Sequence, residues 1–140
     1  MYKRQLLEEF IAREAKAGRF DVAFTPIEAP MLVHAHCHQK AFAAVTPILD
    51  VLRLVPGAKP ALIETSCCGM SGSFGYEASH HAVSMAMAEA SLLPAIRNAP
   101  DAIVVADGTS CRQQIAHGAK REALHVARVL ERFLPAPLSP

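Results

Sequence analysis

Residues 101–115 read DAIVVADGTSCRQQI, and this stretch decides the fold because an apolar strand leads through a short loop into a helix. Residues 102–106 are small and β-branched, which is typical of a buried strand. Residues 111–118 have the composition of a short helix, and Cys111 stands at its beginning. A strand followed directly by a cysteine and a helix is the pattern that the rest of the chain repeats.

The same strand–helix order occurs twice more towards the N-terminus. Residues 31–35 and 61–65 are apolar runs that predict strands, and a helical stretch follows each of them. A helix with an apolar stripe, residues 6–18, precedes the first strand, and a last amphipathic helix covers residues 123–133. Because strands separated by helices form parallel sheets, we expect an α/β fold. It has a small parallel sheet of three or four strands with helices on both faces, built from three strand–helix units after the N-terminal helix.

Proline and glycine mark the expected interruptions of these helices. Pro47 predicts a kink or a late helix start, and Pro94 predicts a break in the helical stretch 77–98. Residues 66–76 contain three glycines and predict a loop between the second strand and that stretch.

The composition is that of an ordinary globular protein with one domain. The 140 residues are 51% hydrophobic and 19% charged, and the net charge is +1. We therefore expect no nucleic-acid partner, and no apolar run is long enough for a transmembrane segment. The start of the chain does not have the pattern of a signal peptide, so we expect a cytoplasmic protein. We interpret residues 1–5 (MYKRQ) as a non-native leader that matches the translated end of a sequencing transposon, residues 6–134 as the domain, and residues 135–140 as a disordered tail.

All four cysteines lie just after predicted strands. Cys37 follows the first strand, Cys67 and Cys68 follow the second, and Cys111 follows the third. The carboxyl ends of parallel strands meet at one edge of a sheet, so we expect the four sulfurs to lie within about 8 Å of one another there. Converging thiolates repel one another and require a cation or disulfides, and soft thiolates suit zinc and iron–sulfur centres.

The adjacent pair Cys67 and Cys68 is the most unusual local feature. Neighbouring side chains diverge, so the pair does not suit one small ion. It can bond different metal atoms of a larger cluster, form a strained disulfide, or simply be buried in the core.

Histidines and cations near the cysteines are further candidates. His34, His36 and His38 alternate, so on a strand they would share the face opposite Cys37. They would supply a nitrogen ligand or a proton relay, or be polar residues satisfied at a strand end. His117, Lys40 and Arg112 also follow the cysteines. His117 could fold back as a ligand, whereas Lys40 and Arg112 could offset cluster charge, hold a carboxylate or remain solvated.

Three motifs together carry a resemblance to a known family. They are HCHQKA at 36–41, CCGMSGSFGYE at 67–77 and VADGTSCRQQI at 105–115. The chain resembles, over residues 6–134, the cysteine-rich CCG domain of the heterodisulfide reductase B subunit, the glycolate oxidase iron–sulfur subunit and the anaerobic glycerol-3-phosphate dehydrogenase C subunit. It looks most like the C-terminal domain of single-chain FAD-linked 2-hydroxyacid dehydrogenases of the D-lactate and D-2-hydroxyglutarate type.

The resemblance implies a ligand set and a cofactor. Cys37 matches the first family cysteine, the Cys67–Cys68 pair matches the second group, and Cys111 matches the last cysteine of a Cys-x-x-Cys whose other position here is Gly108. The missing thiolate leaves open a 4Fe–4S cluster, a non-cubane iron–sulfur cluster or zinc. From the residues and the resemblance together, the candidate cofactor-binding residues are Cys37, Cys67, Cys68, Cys111, Gly69 and Arg112, and His36 and His117 are candidates for additional metal ligands.

The resemblance also implies the function and the partners. We expect an iron–sulfur electron-transfer domain, the C-terminal part of an FAD-linked 2-hydroxyacid dehydrogenase, with FAD only in the upstream part and no activity of this fragment alone. Its partners would be the flavin and ferredoxin-like domains of the same protein and a downstream electron acceptor, which could place it at the inner membrane surface. The alternatives are a structural zinc module that docks domains, and a thiol enzyme with Cys111 as the nucleophile.

Overall fold

A computed structural model describes residues 5–136 of the chain. Within these residues, three strands and seven α-helices follow one another, with one short 3₁₀ turn at Phe74–Tyr76. In chain order they are α1 (Leu7–Lys16), β1 (Met31–His34), α2 (Cys37–Ala41), α3 (Val45–Leu52), β2 (Pro60–Leu62), α4 (His81–Glu89), α5 (Leu92–Arg97), β3 (Ile103–Ala106), α6 (Thr109–Ala119) and α7 (Val126–Arg132). Residues 1–4 of the expected leader and 137–140 of the expected tail lie outside the described residues.

The three strands form one parallel sheet in the order β2-β1-β3. Met31 pairs with Pro60 on one side and with Ile103 on the other, so the three strands run in register from the same edge. The predicted α/β class, with a small parallel sheet, is confirmed. Because β1 is central, the residues that follow it lie between the ends of its two neighbours.

Helices cover both faces of the sheet, as predicted, because alternate strand residues enter two separate apolar clusters. Met31 and Val105 belong to the cluster formed with α1, α3 and α7. Val104 and Ala106 belong to the other cluster, which α5 and α6 complete. No helix within residues 5–136 is long and apolar enough to cross a membrane.

The strand predicted at residues 31–35 is β1, which ends at His34, so His36 and His38 do not share a strand face with His34. His36 is instead the N-cap of α2, where its Nδ1 accepts a hydrogen bond from the His38 amide at 3.2 Å. The Gln39 side chain accepts one from the His36 amide at 2.8 Å and completes a reciprocal cap. This local capping turns the chain away from the sheet directly after His34.

The two proline predictions have different outcomes. Pro47 is the third residue of α3, so the late helix start is correct, and the chain before it turns at Ala43 with φ of +54°. The predicted break near Pro94 is present, but it lies a few residues before the proline. The helix breaks at residues 90–91. Pro94 lies in the first turn of α5, where backbone N–H groups have no acceptor within the helix, so the missing N–H of proline costs no hydrogen bond there.

Candidate metal site

A cavity of about 130 Å³ lies at the carboxyl edge of the sheet, where the loops after the three strands meet. It brings together all four cysteines, although they come from three separate loops. The lining residues are His34, His36, Cys37, His38, Cys67, Cys68, Ser71, Gly72, Ser110 and Cys111. All four cysteines are free thiols.

Three of the lining residues form a much tighter group. One ligand atom each from His34, Cys68 and Cys111 lies within 4.8 Å of the other two, and all three side chains are buried. Two sulfurs bound to one zinc ion at about 2.3 Å each would be roughly 3.8 Å apart. The group therefore has the donor chemistry and the approximate spacing for a metal ion.

The other two cysteines lie further from this group. Cys67 is half-buried, and Cys37 is exposed in the first turn of α2. The adjacent side chains of Cys67 and Cys68 thus differ in burial, and only Cys68 joins the tight group. Because neighbouring side chains diverge, this difference in burial is expected of two adjacent cysteines.

His34 has an unsatisfied polar atom at the site. Its side chain is 1% exposed, and its Nδ1 has no hydrogen-bond partner among the described residues. Burying a polar nitrogen without a partner costs roughly 1–3 kcal/mol of folding free energy. The hydrogen bonds of the described residues therefore do not satisfy the whole of this buried ring.

The two buried thiols have pKa values that shift in opposite directions. The hydrogen bond from Cys111 lowers the pKa of the Cys68 thiol to about 4, helped by His34 and by the Met70 backbone and opposed by burial. The Cys68 thiolate and burial together raise the pKa of Cys111 far above its usual range. Both shifts follow from the closeness of the two sulfurs, which belong to the same tight group.

The loop that carries Cys67 and Cys68 is held by close contacts with α4. Gly69 has φ of +84°, and a Cβ there would lie 2.2 Å from the Ser84 carbonyl oxygen. The Ser84 side chain and carbonyl accept hydrogen bonds from Gln114 at 3.1 and 3.2 Å. The Gly69 amide in turn donates to Cys67 Sγ at 3.3 Å. Glycine at position 69 is thus required by both its backbone angle and its surroundings.

The loop after β3 approaches the site equally closely. Gly108 is the N-cap of α6, and Cys111 lies in the first turn of that helix, whose partial positive charge favours a thiolate. A Cβ at Gly108 would lie 2.3 Å from Cδ2 of His36 and 2.9 Å from Sγ of Cys111. Since φ is −67°, the requirement for glycine here is close packing and not a left-handed backbone.

Three of the candidate residues, Gly69, Arg112 and His117, do not line the cavity. The Arg112 guanidinium donates to the carbonyls of Ala106 and Asp107 at 3.0 and 2.6 Å, so it fixes the end of β3. His117 is exposed on α6, with its ring edge-on to Tyr76 at a centroid distance of 5.9 Å. Lys40 donates to the Thr65 and Ser66 carbonyls and ties α2 to the loop of the cysteine pair.

Sequence reasoning missed a buried polar network beside the site. The Gln39 amide nitrogen donates to Glu8 at 2.6 Å and to Asp107 at 2.7 Å. Asp107 also accepts from the Val126 amide at 2.9 Å, so one carboxylate connects the end of β3 with α7. The position of Asp107 directly after a strand was the available signal, because polar residues at that edge often serve the site.

The sequence groups His34 with His36 and His38 and does not single it out as a metal ligand. The structure separates it from them and puts it beside Cys68 and Cys111. Its place as the last residue of the strand, on the face that carries the cysteines, was the signal.

Comparison with curated proteins relates the chain to parts of larger oxidoreductases. It is 24% identical over 130 residues, 93% of its length, to the C subunit of anaerobic glycerol-3-phosphate dehydrogenase from Escherichia coli. It is 39% identical over 59 residues, 42% of its length, to D-2-hydroxyglutarate dehydrogenase of Escherichia coli. It is 32% identical over 100 residues, 71% of its length, to D-2-hydroxyglutarate dehydrogenase of Pseudomonas putida.

The matched segments are small parts of these relatives. They make up 32% of the glycerol-3-phosphate dehydrogenase protein and 6% and 10% of the two D-2-hydroxyglutarate dehydrogenases. No family model and no solved structure matches the chain. The chain is thus related to oxidoreductase segments and carries a Cys/His group that can hold a metal.

Proposed function

We propose that this chain is a CCG-type electron-transfer domain whose cavity holds an iron–sulfur centre bound by Cys37, Cys67, Cys68 and Cys111. The observation that carries the proposal is that these cysteines, from three loops, line one cavity at the carboxyl edge of the sheet. Soft thiolates are the ligands that iron–sulfur clusters require.

The donor set fits a centre with several metal atoms. Cys68 lies deep beside Cys111, whereas Cys67 is half-buried, so the adjacent thiolates are suited to different metal atoms. When bound, a 4Fe–4S or non-cubane cluster would accept and release single electrons. Because Cys37 is exposed, that side of the centre would face the partner that exchanges electrons with it.

The chain's own residues would exclude water from the other side. Cys68 and Cys111 belong to an apolar cluster with Ile63, Val104 and Ile115. Burial of a charged centre against apolar side chains tunes its potential, and the α6 N-terminus would offset part of its negative charge.

The relatives' names support a role within a larger oxidoreductase. The proposal extends to an FAD-linked 2-hydroxyacid dehydrogenase, with the flavin and ferredoxin-like domains as partners in the full-length protein and a further acceptor downstream. In this scheme FAD binds outside the present chain, the fragment alone is inactive, and the assembly works in the cytoplasm or on the inner membrane surface.

A second candidate function is a zinc module that docks domains together. The observation in its favour is the tight group of His34, Cys68 and Cys111, whose spacing suits a single ion. A thiol enzyme is not favoured, because a single nucleophile would leave the other three cysteines of the same cavity without a role.

Metal analysis of anaerobically prepared protein distinguishes these functions. We expect iron and sulfide in near-equal amounts, an electron paramagnetic resonance signal after reduction, and loss of both in Cys68→Ser and Cys111→Ser. Ser110→Ala is the matched control in the same turn of α6 and should retain the cluster. Zinc alone would instead identify the docking module, and protein that binds neither metal would contradict both functions.

A further inference from the structure

We propose that His34 is itself a metal ligand, so that the centre is held by sulfur and one imidazole nitrogen. This inference rests on the proposed function, because it names a ligand of the same site. The carrying observation is that a His34 nitrogen lies within 4.8 Å of both Cys68 Sγ and Cys111 Sγ.

The His34 imidazole is buried, and one of its two nitrogens has no partner among the described residues. The side chain is 1% exposed, which excludes bulk water, and Nδ1 has no hydrogen-bond partner among residues 5–136. A neutral imidazole has one donor and one acceptor nitrogen. The contact with Cys68 satisfies at most one of them. Metal coordination would give the buried ring a strong interaction at this site.

Among the lining residues, His34 is the one that lies on a strand. It is the last residue of β1, the central strand, and it pairs with Ala106 of β3. Its side chain therefore projects into the cavity from a strand, whereas the four cysteines stand on loops or in the first turns of helices. A ligand on a rigid element positions a metal ion well.

The other histidines of the cavity are less suitable as ligands. His36 Nδ1 already accepts a hydrogen bond from the His38 amide and caps α2, and the His38 side chain is exposed. At Gly108, close contacts with His36 and Cys111 leave no room for an added side chain without movement. Among the described residues, His34 is the buried nitrogen donor that faces the buried sulfurs.

A neutral imidazole changes the charge of the centre. A thiolate in the same place would add one negative charge, whereas His34 adds none. Histidine ligation raises the reduction potential of an iron–sulfur centre relative to cysteine ligation. We therefore expect His34→Cys to retain metal and to lower the reduction potential.

The direct test is nuclear magnetic resonance of metal-free chain loaded with ¹¹³Cd²⁺ alone, with its histidines labelled with ¹⁵N. A scalar coupling between cadmium and one histidine nitrogen requires a bond between them, which a hydrogen bond to a thiolate does not give. We expect one such coupling. It should be absent in His34→Ala and His34→Cys and retained in His38→Ala, the matched control from the same cavity.

The outcomes separate this inference from the proposed function. Loading of ¹¹³Cd²⁺ with no nitrogen coupling, or a coupling that survives in folded His34→Cys, would overturn the assignment of His34 even if the protein contains iron. A His34 coupling in a chain that never takes up iron and sulfide would uphold the ligand and refute the electron-transfer function. Failure to bind cadmium at all would overturn the assignment of His34, whereas the iron and sulfide content decides the electron-transfer function.

Discussion

The two faces of the sheet bury apolar residues in different ways. The aliphatic face, formed by α1, α3 and α7 over β1, contains Ile48, Val51 and Leu52, all fully buried. The cysteine face, formed by α5 and α6 with the loop of the cysteine pair, contains Cys68 and Cys111 within its apolar cluster. Only the cysteine face borders the cavity that the four cysteines line.

The residues of the two faces are positioned by different kinds of contact. On the aliphatic face, bulky side chains fill the space between the helices and the sheet, and burial stabilises the fold. On the cysteine face, close backbone approach does much of the positioning, at Gly69 beside Ser84 and at Gly118 beside Leu93. We therefore expect stability to depend most on the first face and metal binding on the second.

Truncation on the aliphatic face should have the largest effect on stability. Leu52→Ala removes buried methyl groups and leaves a cavity, so we expect the free energy of unfolding to fall by about 2–5 kcal/mol. Denaturant unfolding measures this loss. The folded fraction should keep its full metal content, and a selective loss of metal would show that the two faces are not independent.

Gly69→Ala should affect both stability and the site. The added Cβ would meet the Ser84 carbonyl at 2.2 Å in a backbone with φ of +84°, so we expect a loss of roughly 2–4 kcal/mol and a large fall in metal content. Gly72→Ala is the matched control, because Gly72 has φ of +70° but no neighbour within 4 Å of the added Cβ. It should cost only about 1 kcal/mol and retain the metal. Equal metal losses in both variants would contradict the role of the Ser84 contact.

Gly108→Cys tests whether the cavity has room for another thiolate. Since a Cβ there would crowd His36 and Cys111, we expect a loss of about 1–3 kcal/mol and no new metal spectrum. Gly108→Ala should show the same loss of stability, which would identify crowding as the cause. A spectrum that changes only in the cysteine variant would mean that the loop can move and admit a further thiolate.

His117→Ala should have the smallest effect. The side chain is exposed and does not line the cavity, so we expect a change in stability within about 0.5 kcal/mol and unchanged metal content. Metal analysis and thermal unfolding check this directly. Reduced metal content in His117→Ala would instead mean that His117 is a metal ligand.

The sequence by itself determined the order of the elements and the location of the chemistry. Hydrophobic periodicity predicted the strands and helices, and the run after Asp101 became β3 with only small changes in its bounds. In a parallel sheet the residues after each strand lie at one edge, so the topology alone brings the cysteines of three separate loops together there. Element bounds were less predictable, because the cap at His36 and the place of Pro94 depend on local hydrogen bonds that periodicity does not encode.

Only the tertiary structure decided which side chains face one another at that edge. The central position of β1 brings His34 to Cys68 and Cys111, and the fold joins Gln39 to Glu8 across 31 positions of the chain. Such contacts depend on strand order, on the direction in which each loop leaves its strand and on close helix packing. The physical reason is that periodicity reports which face of an element is buried, whereas the partner on that face is set by contacts between elements far apart in sequence.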